Sequence, residues 1–408
     1  MIDEETIKII KNTYQELKYQ INPTIYFYDL SIIENNISNI EKYMPKQISL
    51  YYAMKANTNN NILKYIANKN YVKGFEIASS GELEIASKYL SSNKLIFTGP
   101  GKTEYELTMA IKLGIRLINI ESVIEAIRIQ KIAEELNIDN VNILIRINLN
   151  YSLAEGTEHM SGTSTKMGID ENDYLTSFDY IKTLDRITIK GIHVFAASGV
   201  LDYEALLKSN RYIFDLVKRI ETTSPKIEII DFGGGLGIDY TNKNKIFNIK
   251  AYSEGLTKLI EEYNFLDKEI IMELGTYIVG NAGYYTAKII DIKKIKGYKH
   301  IIIAGGVNHM GLPLEMRRKH PIEILGMNEP KLYDNQPYIE NEKADVSGPL
   351  CMVTDKLSWN DYIKKASIGD IVVFRQSGAY CYGEGMHQFL SHMLPDEIII
   401  NGSDYNGK

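Results

Sequence analysis

From about residue 48 to 275, short apolar and β-branched runs alternate with helical stretches, and this alternation narrows the possible folds more than any other feature of the chain. The candidate strands are QISLYYAM, ending just before Lys55, then 71–77, 94–99, 116–120, 141–149, 188–195, 226–233 and 269–275. Between them, segments such as GELEIASKYL and TEYELTMAIKLG carry helical spacing, and Gly114 supplies a stop for the second. Eight βα units in roughly 230 residues fit a TIM barrel better than a doubly wound sheet. After Gly283 the texture changes to strand-like runs, including YYTAKIIDIKKI, YKHIIIAGG, EKADVSGPL and DIVVFRQSGAY. These predict a mostly β second domain, completed by TIYFYDL near the N-terminus, with boundaries of 40–282 for the barrel and 1–39 plus 283–408 for the β-rich domain.

A chain of 408 residues is long enough for two such cores. Its net charge of −6, with basic and acidic residues interspersed, argues against nucleic acid as a partner. The first twenty residues, MIDEETIKIIKNTYQELKYQ, read as an amphipathic helix rather than a signal peptide, and no apolar run reaches membrane-spanning length. Two cysteines, Cys351 and Cys381, suit neither a disulfide framework nor a zinc cage, so a cytoplasmic address is expected and no metal.

Several strand ends carry residues with chemical potential. Lys55 follows the first barrel strand; a lysine amine there can condense with the aldehyde of pyridoxal phosphate, or be one more solvated charge. DFGGGLG places Gly233, Gly234 and Gly235 after the seventh strand, as a phosphate cradle or a tight turn. Glu273, at the end of the eighth strand, can pair with a pyridine nitrogen or sit in an internal salt bridge. Alternation along GIHVFAASG puts His193 and Phe195 on one face, either beside an aromatic cofactor or as barrel filling. Arg146, expected to bind the substrate as an anion ligand or else to be structural, and the loop 152–168, with His159 and Lys166, approach the same barrel mouth. In the second domain, SGPLCMVTD offers Cys351 as a proton donor and Asp355 as an ammonium partner, though most such cysteines are inert. The chain has no H-E-x-x-H, no G-x-S-x-G and no Walker lysine.

The ordered set YYAMKAN, GFEIASSGE, IFTGPGKT, KMGI, DFGGGLGI, GGVNH, GPLC and SGAY resembles the fold-type III pyridoxal-phosphate decarboxylases, the family of diaminopimelate, ornithine and arginine decarboxylases, whose barrel is similar to that of alanine racemase. The resemblance runs from residue 24 to 380. It implies that Lys55 anchors the cofactor covalently and Glu273 pairs with its ring nitrogen. It further implies that Phe195 stacks on the ring, in a place held by histidine in better-known members. Gly234, Gly235, Ser198 and Tyr380 then hold the phosphate. Cys351 and Asp355 reach a partner subunit's active site, which implies an obligate homodimer. Glu273, where a racemase of this fold uses arginine, favours decarboxylation; a racemase or a noncatalytic cofactor-binding protein remain competing classes.

Two departures bear on substrate. ELGT leaves Thr276 where the family has an arginine, and Leu312-Pro313 replaces an Arg-Pro pair; Met352 also stands where an acidic residue is usual. The resemblance is closest to siderophore-pathway enzymes that decarboxylate an amino acid conjugated to citrate, such as citryl-ornithine or citryl-diaminopropionate. Arg317 and Arg318, with Lys319 and His320, are the residues expected to meet the citryl carboxylates, or else form a solvated loop. Free diaminopimelate or ornithine and a glutamyl-loaded carrier protein are the alternatives.

Overall fold

In a computed structural model the structure describes residues 2–16, 23–153, 156, 158–223, 226–241 and 245–401. The chain divides into two compact units, Asn35–Ile238 with Lys245–Ile278, and Met1–Glu34 with Asp239–Asn244 and Val279–Lys408.

The first unit is a closed parallel barrel. Its strands are β1 (Ile48–Ala53), β2 (Val72–Ile77), β3 (Leu95–Phe97), β4 (Leu117–Ile120), β5 (Val141–Asn148), β6 (Ile187–His193), β7 (Ile229–Asp231) and β8 (Glu269–Leu274). Each pairs in parallel with its neighbours in sequence, β8 pairs with β1, and β4 pairs with β5, so no edge is left open. Tyr51, Ile96, Leu117, Leu144, Ile229 and Ile271, from six different strands, form one buried cluster, as expected of a packed barrel interior. The connecting helices carry local stop and start signals. Thr103 and Glu106 close a capping box on Glu104–Leu113, and Gly114 ends that helix in the left-handed region at φ 63°.

Strand ends differ from the expected ones where polar chemistry takes over. β7 covers only 229–231 of the expected 226–233 because the Asp231 side chain turns the chain into the glycine loop. β6 stops at His193, so Phe195 lies beyond the strand; His193 is fully buried and Phe195 only half so. Strand alternation is therefore not what positions these two residues.

The second unit is built on an eight-stranded sheet. Its central strand, Gly283–Ile295, pairs antiparallel with Thr24–Asp29, Tyr298–Ile303 and Ile371–Arg375, while Asp396–Ile400 runs parallel to Thr24–Asp29. The N-terminal strand thus completes the β-rich unit as its sequence suggested. Helix Glu4–Glu16 buries Thr6, Ile10 and Tyr14, one face at a spacing of four, in a core that includes Ile25, Phe27 and Val373. Residues 17–20 of the expected helix lie outside the described residues. Among the described residues no helix is long and apolar enough to cross a membrane.

Candidate active site

The C-terminal ends of the barrel strands gather an unusual number of buried polar groups. Lys55 sits in a single 3-10 turn, Met54–Ala56, immediately after β1, with no side-chain cap to hold that turn. Its Nζ lies 2.7 Å from Oε2 of Glu76, a fully buried residue near the end of β2, while the Lys55 side chain keeps 37% exposure. A carboxylate in a dry strand thus tethers an amine that still reaches solvent.

Three neighbouring strands add the remaining groups. Glu273 on β8 receives Asn119 Nδ2 of β4 at 3.4 Å on Oε1, and its Oε2 lies 3.6 Å from His193 Nε2 of β6. Asp231 at the end of β7 accepts the Gly233 N–H at 2.8 Å. Among the described residues, no donor reaches Glu76 Oε1, Asp231 Oδ2, Glu273 Oε2 or either His193 ring nitrogen, although all are buried. Buried acceptors are normally satisfied, so this cluster is built for a donor that arrives from outside.

Burial is the first cause of the site's electrostatics. It drives the Glu273 carboxyl well above the usual carboxylate range, and the nearby Asp231 and Glu76 charges push the same way. Asp231 is raised as well, again by burial first. Glu82, whose carboxylate accepts the Ala78 N–H, is pushed up to about 7 by burial and then by Glu76. The His193 imidazole is held neutral by burial, then by the positive fields of Arg146, Lys55 and Lys102.

The glycine turn supplies the other half of the site. Gly233, at φ 60°, would place a Cβ 2.2 Å from the Phe195 ring, and a Cβ on Gly234 would fall 2.3 Å from the Glu273 carbonyl. Only glycine lets the backbone lie flat between that ring and β8. Ser198 is half-buried beside it on a short strand, and the Gly235 carbonyl accepts the Val200 N–H, closing the loop on itself.

Arg146 is buried and engaged within the barrel. Its guanidinium bonds Glu121 at 2.7 Å, and the other Glu121 oxygen accepts the Gly168 N–H at 2.6 Å. The pair pins the end of the 152–168 loop. Lys166 is exposed, and the His159 side chain lies outside the described residues. Lys102 of GPGKT is likewise internal, bonded to Glu125 and to the carbonyls of Gly99 and Asn119. Sequence reasoning did not single out Glu76, Asn119, Asp231 or Lys102; the available signal was an acidic or amide residue set inside an otherwise buried strand run.

In the β-rich unit, Cys351 is exposed while Asp355 is buried. Both Asp355 oxygens are occupied, by the Val307 and Leu350 N–H groups at 2.8 Å each, so this carboxylate clamps the GGVNH turn to the GPLC turn. The basic run divides. Arg317 is exposed with φ 47°, Arg318 lies 4.4 Å over the Tyr240 ring, and Lys319 bonds Asp361 and the Trp359 carbonyl. His320 is buried against the Arg375 carbonyl and held neutral, its pKa lowered to about 3 by burial first. The expected four-residue cationic patch is thus two arginines. Leu312, where the resemblance implies an arginine, is buried. Tyr380 is half-buried at φ 62°, a backbone state that a bulky residue adopts only under constraint.

A closed barrel with a lysine, a buried carboxyl cluster and a glycine turn at its strand ends, in one chain with a β-rich unit, has the architecture of the pyridoxal-phosphate decarboxylases. Residues 30–280 match the model of the pyridoxal-dependent decarboxylase pyridoxal-binding domain, and the chain belongs to that family. It is 32% identical, over 97% of its length and 98% of the relative's, to the 2-[(L-alanin-3-ylcarbamoyl)methyl]-2-hydroxybutanedioate decarboxylase of Staphylococcus aureus. It is 27% identical to the diaminopimelate decarboxylase of Campylobacter jejuni, over 90% of this chain and 88% of the relative's. The crystal structure of Helicobacter pylori diaminopimelate decarboxylase complexed with L-lysine superposes with a TM-score of 0.83 at 26% identity, over 95% of this chain and 94% of that one. The protein is a carboxy-lyase that uses pyridoxal 5'-phosphate. The unsatisfied acceptors around Glu273 and the side-chain-free turn at Gly233 and Gly234 fit the ring and phosphate of that cofactor.

Proposed function

We propose that the substrate is an α-amino acid of the diaminopimelate or ornithine type, decarboxylated at the amine-bearing carbon. The observation that carries the chemistry is the tethered amine of Lys55 beside a cluster of buried acceptors that lack donors. Support for the substrate type comes from the similar decarboxylases, among which diaminopimelate decarboxylases recur. A citrate-conjugated amino acid, which the sequence placed first, is the second reading. It is favoured by the Staphylococcus aureus relative and by buried Leu312 and by Met352, which leave a distal carboxylate or ammonium fewer familiar partners. A carrier-bound glutamyl group is a further variant of the substrate.

When bound, the cofactor condenses with amines through its aldehyde and lends its protonated ring as an electron sink for the carbon that loses carbon dioxide. The residues of this chain do the rest. Lys55 would provide the amine that holds the cofactor, and Glu76, 2.7 Å from that nitrogen, would steady it whenever it is a free ammonium. Glu273 keeps a proton at the ring nitrogen. Gly234 and Gly235, whose turn leaves no room for side chains, would hold the phosphate, with Ser198 and Tyr380 as further ligands by resemblance, and Phe195 would cover the ring. His193, uncharged and buried, backs Glu273 without itself donating a proton at neutral pH.

Cys351 supplies the proton that the α-carbon takes up, acting in the site of a second copy. Its exposure, next to Val353 at 89%, suits a residue that works across a homodimer contact. Asp355 sets the Cys351 loop, and Arg317 and Arg318 are the cations left to meet an anionic substrate tail. Carbon dioxide release measured on diaminopimelate, ornithine, citryl-ornithine, citryl-diaminopropionate and a glutamyl-loaded carrier tests the substrate. Turnover of a citryl conjugate with no turnover of the free diamino acids would reverse the order of the two readings.

A further inference from the structure

Asp231 is a fully buried carboxylate at the end of a barrel strand to which neither the cofactor nor the substrate assigns a task. It ends β7 in register with His193 of β6 and Ile271 of β8. One oxygen accepts the Gly233 N–H; the other meets no donor. Glu273 Oε2 is in the same position, and one ligand atom each from His193, Asp231 and Glu273 lie within 4.8 Å of one another. Two carboxylates that close in a dry barrel repel, and among the described residues Asp231 Oδ2 and Glu273 Oε2 have no N–H to offset the loss of water. Sharing a proton satisfies both oxygens at once.

The groups facing the pair do not remove that need. Lys55, after β1, is bonded to Glu76 of β2, which itself adds negative charge. Arg146 of β5 is bonded to Glu121 and Lys102 to Glu125, while Asn119 Nδ2 of β4 is divided between Thr98 Oγ1 and the other Glu273 oxygen and offsets the charge of Asp231 only in part. His193 of β6 is neutral.

We propose that Asp231 is a positioning residue with two tasks: it fixes the glycine turn through Gly233, and it shares with Glu273 the proton that the cofactor's ring nitrogen takes up on binding. This rests on the cofactor reading above. On binding, the O–H bond of the pair breaks and leaves its electrons on a carboxylate oxygen, and the nitrogen lone pair takes the proton. Charge is conserved, and no proton need come from solvent. The upward displacement of both carboxyls by burial and mutual repulsion agrees with a proton held there at neutral pH.

Asp231→Asn keeps an oxygen for the Gly233 N–H and gives Glu273 an N–H donor, but it holds no proton. Calorimetric binding of pyridoxal 5'-phosphate to cofactor-free protein, in two buffers of different ionisation enthalpy at mildly alkaline pH, counts the protons exchanged. Asp231→Asn is expected to draw about one more proton from buffer than the wild type does. Proton changes at Lys55 are common to both proteins and cancel. Asp231→Ala, which also frees the turn, is expected to weaken pyridoxal phosphate by roughly tenfold more than it weakens phosphate-free pyridoxal. Infrared difference spectra of the wild type alone provide a check that no variant's folding can spoil: a protonated-carboxyl band is lost when the cofactor binds. Equal proton counts in wild type and Asp231→Asn, or no such band, overturn the shared proton while leaving the cofactor reading intact. Failure of the wild type to bind pyridoxal phosphate overturns both.

Discussion

The barrel mouth and the loops of the β-rich unit use the same kinds of residue to opposite ends. In the barrel, Glu76, Asp231, Glu273 and His193 are buried with nitrogen or oxygen atoms that no donor reaches among the described residues. In the β-rich unit, Asp355, Lys319 and His320 each have their hydrogen-bonding capacity taken up by backbone or by Asp361. Motif position treats Glu273, His193, Asp355, Lys319 and His320 alike as site residues and passes over Glu76 and Asp231. Hydrogen-bond accounting separates them, because a polar group that the fold has already satisfied is structure, and one that burial has left unsatisfied awaits a ligand.

The largest effect expected of this contrast is at Lys55. Lys55→Ala should abolish the visible absorbance of the bound cofactor and lower kcat by roughly 10⁴-fold or more, as measured by carbon dioxide release. Glu273→Gln comes next, with kcat down on the order of 10²–10³-fold and the protein still folded, since the amide cannot hold a proton on the ring nitrogen. Asp355→Ala should do the reverse. It leaves the Val307 and Leu350 N–H groups buried without an acceptor and should cost about 2–5 kcal/mol of stability, read as a lowered Tm in the holoenzyme. A stable Asp355→Ala enzyme with a selectively raised KM would move Asp355 back among the substrate ligands.

Histidine titration supplies a smaller effect of known sign. His320 and His309 are held neutral, with pKa lowered by burial to about 3 and about 4, whereas an unfolded histidine titrates near 6.5. Between these limits the unfolded chain binds more protons, so their contribution is complete above about pH 6.5 and is lost as pH falls, at up to ~1.4 kcal/mol per pH unit for each group. The Asp231–Glu273 pair has the opposite sign, since its raised carboxyls keep protons that an unfolded chain has already released above about pH 4, and stability falls with rising pH. Denaturation of cofactor-free Asp231→Asn should lack most of that alkaline loss and keep the acid one. The least effect is expected at Arg318: Arg318→Ala should raise KM about tenfold for a citryl conjugate and leave that for ornithine nearly unchanged. Equal effects on both would remove Arg318 from substrate selection.

How much could be read from the chain follows the same division. All eight barrel strands were legible, because strands buried on both faces appear as continuous apolar runs. The short length of β7 was not, since it depends on one hydrogen bond from the Gly233 N–H to Asp231. Lys55 and Glu273 stood out by motif, whereas Glu76 inside VKGFEI and Asn119 inside LINI looked like strand residues until the closed barrel set Glu76 against Lys55 and Asn119 against Glu273. Arg146 and Arg318 show the limit from the other side. Their charge was legible, but the partners that fix it, Glu121 and the Tyr240 ring, lie 25 and 78 positions away.

The central claim is that Lys55, tethered by Glu76 at the mouth of the barrel, carries the cofactor. Borohydride reduction of the holoenzyme followed by peptide mass spectrometry tests it most directly. The account predicts a pyridoxyl group on Lys55 and on no other lysine; a label on Lys102 or Lys166 instead, or no label on Lys55, would contradict it.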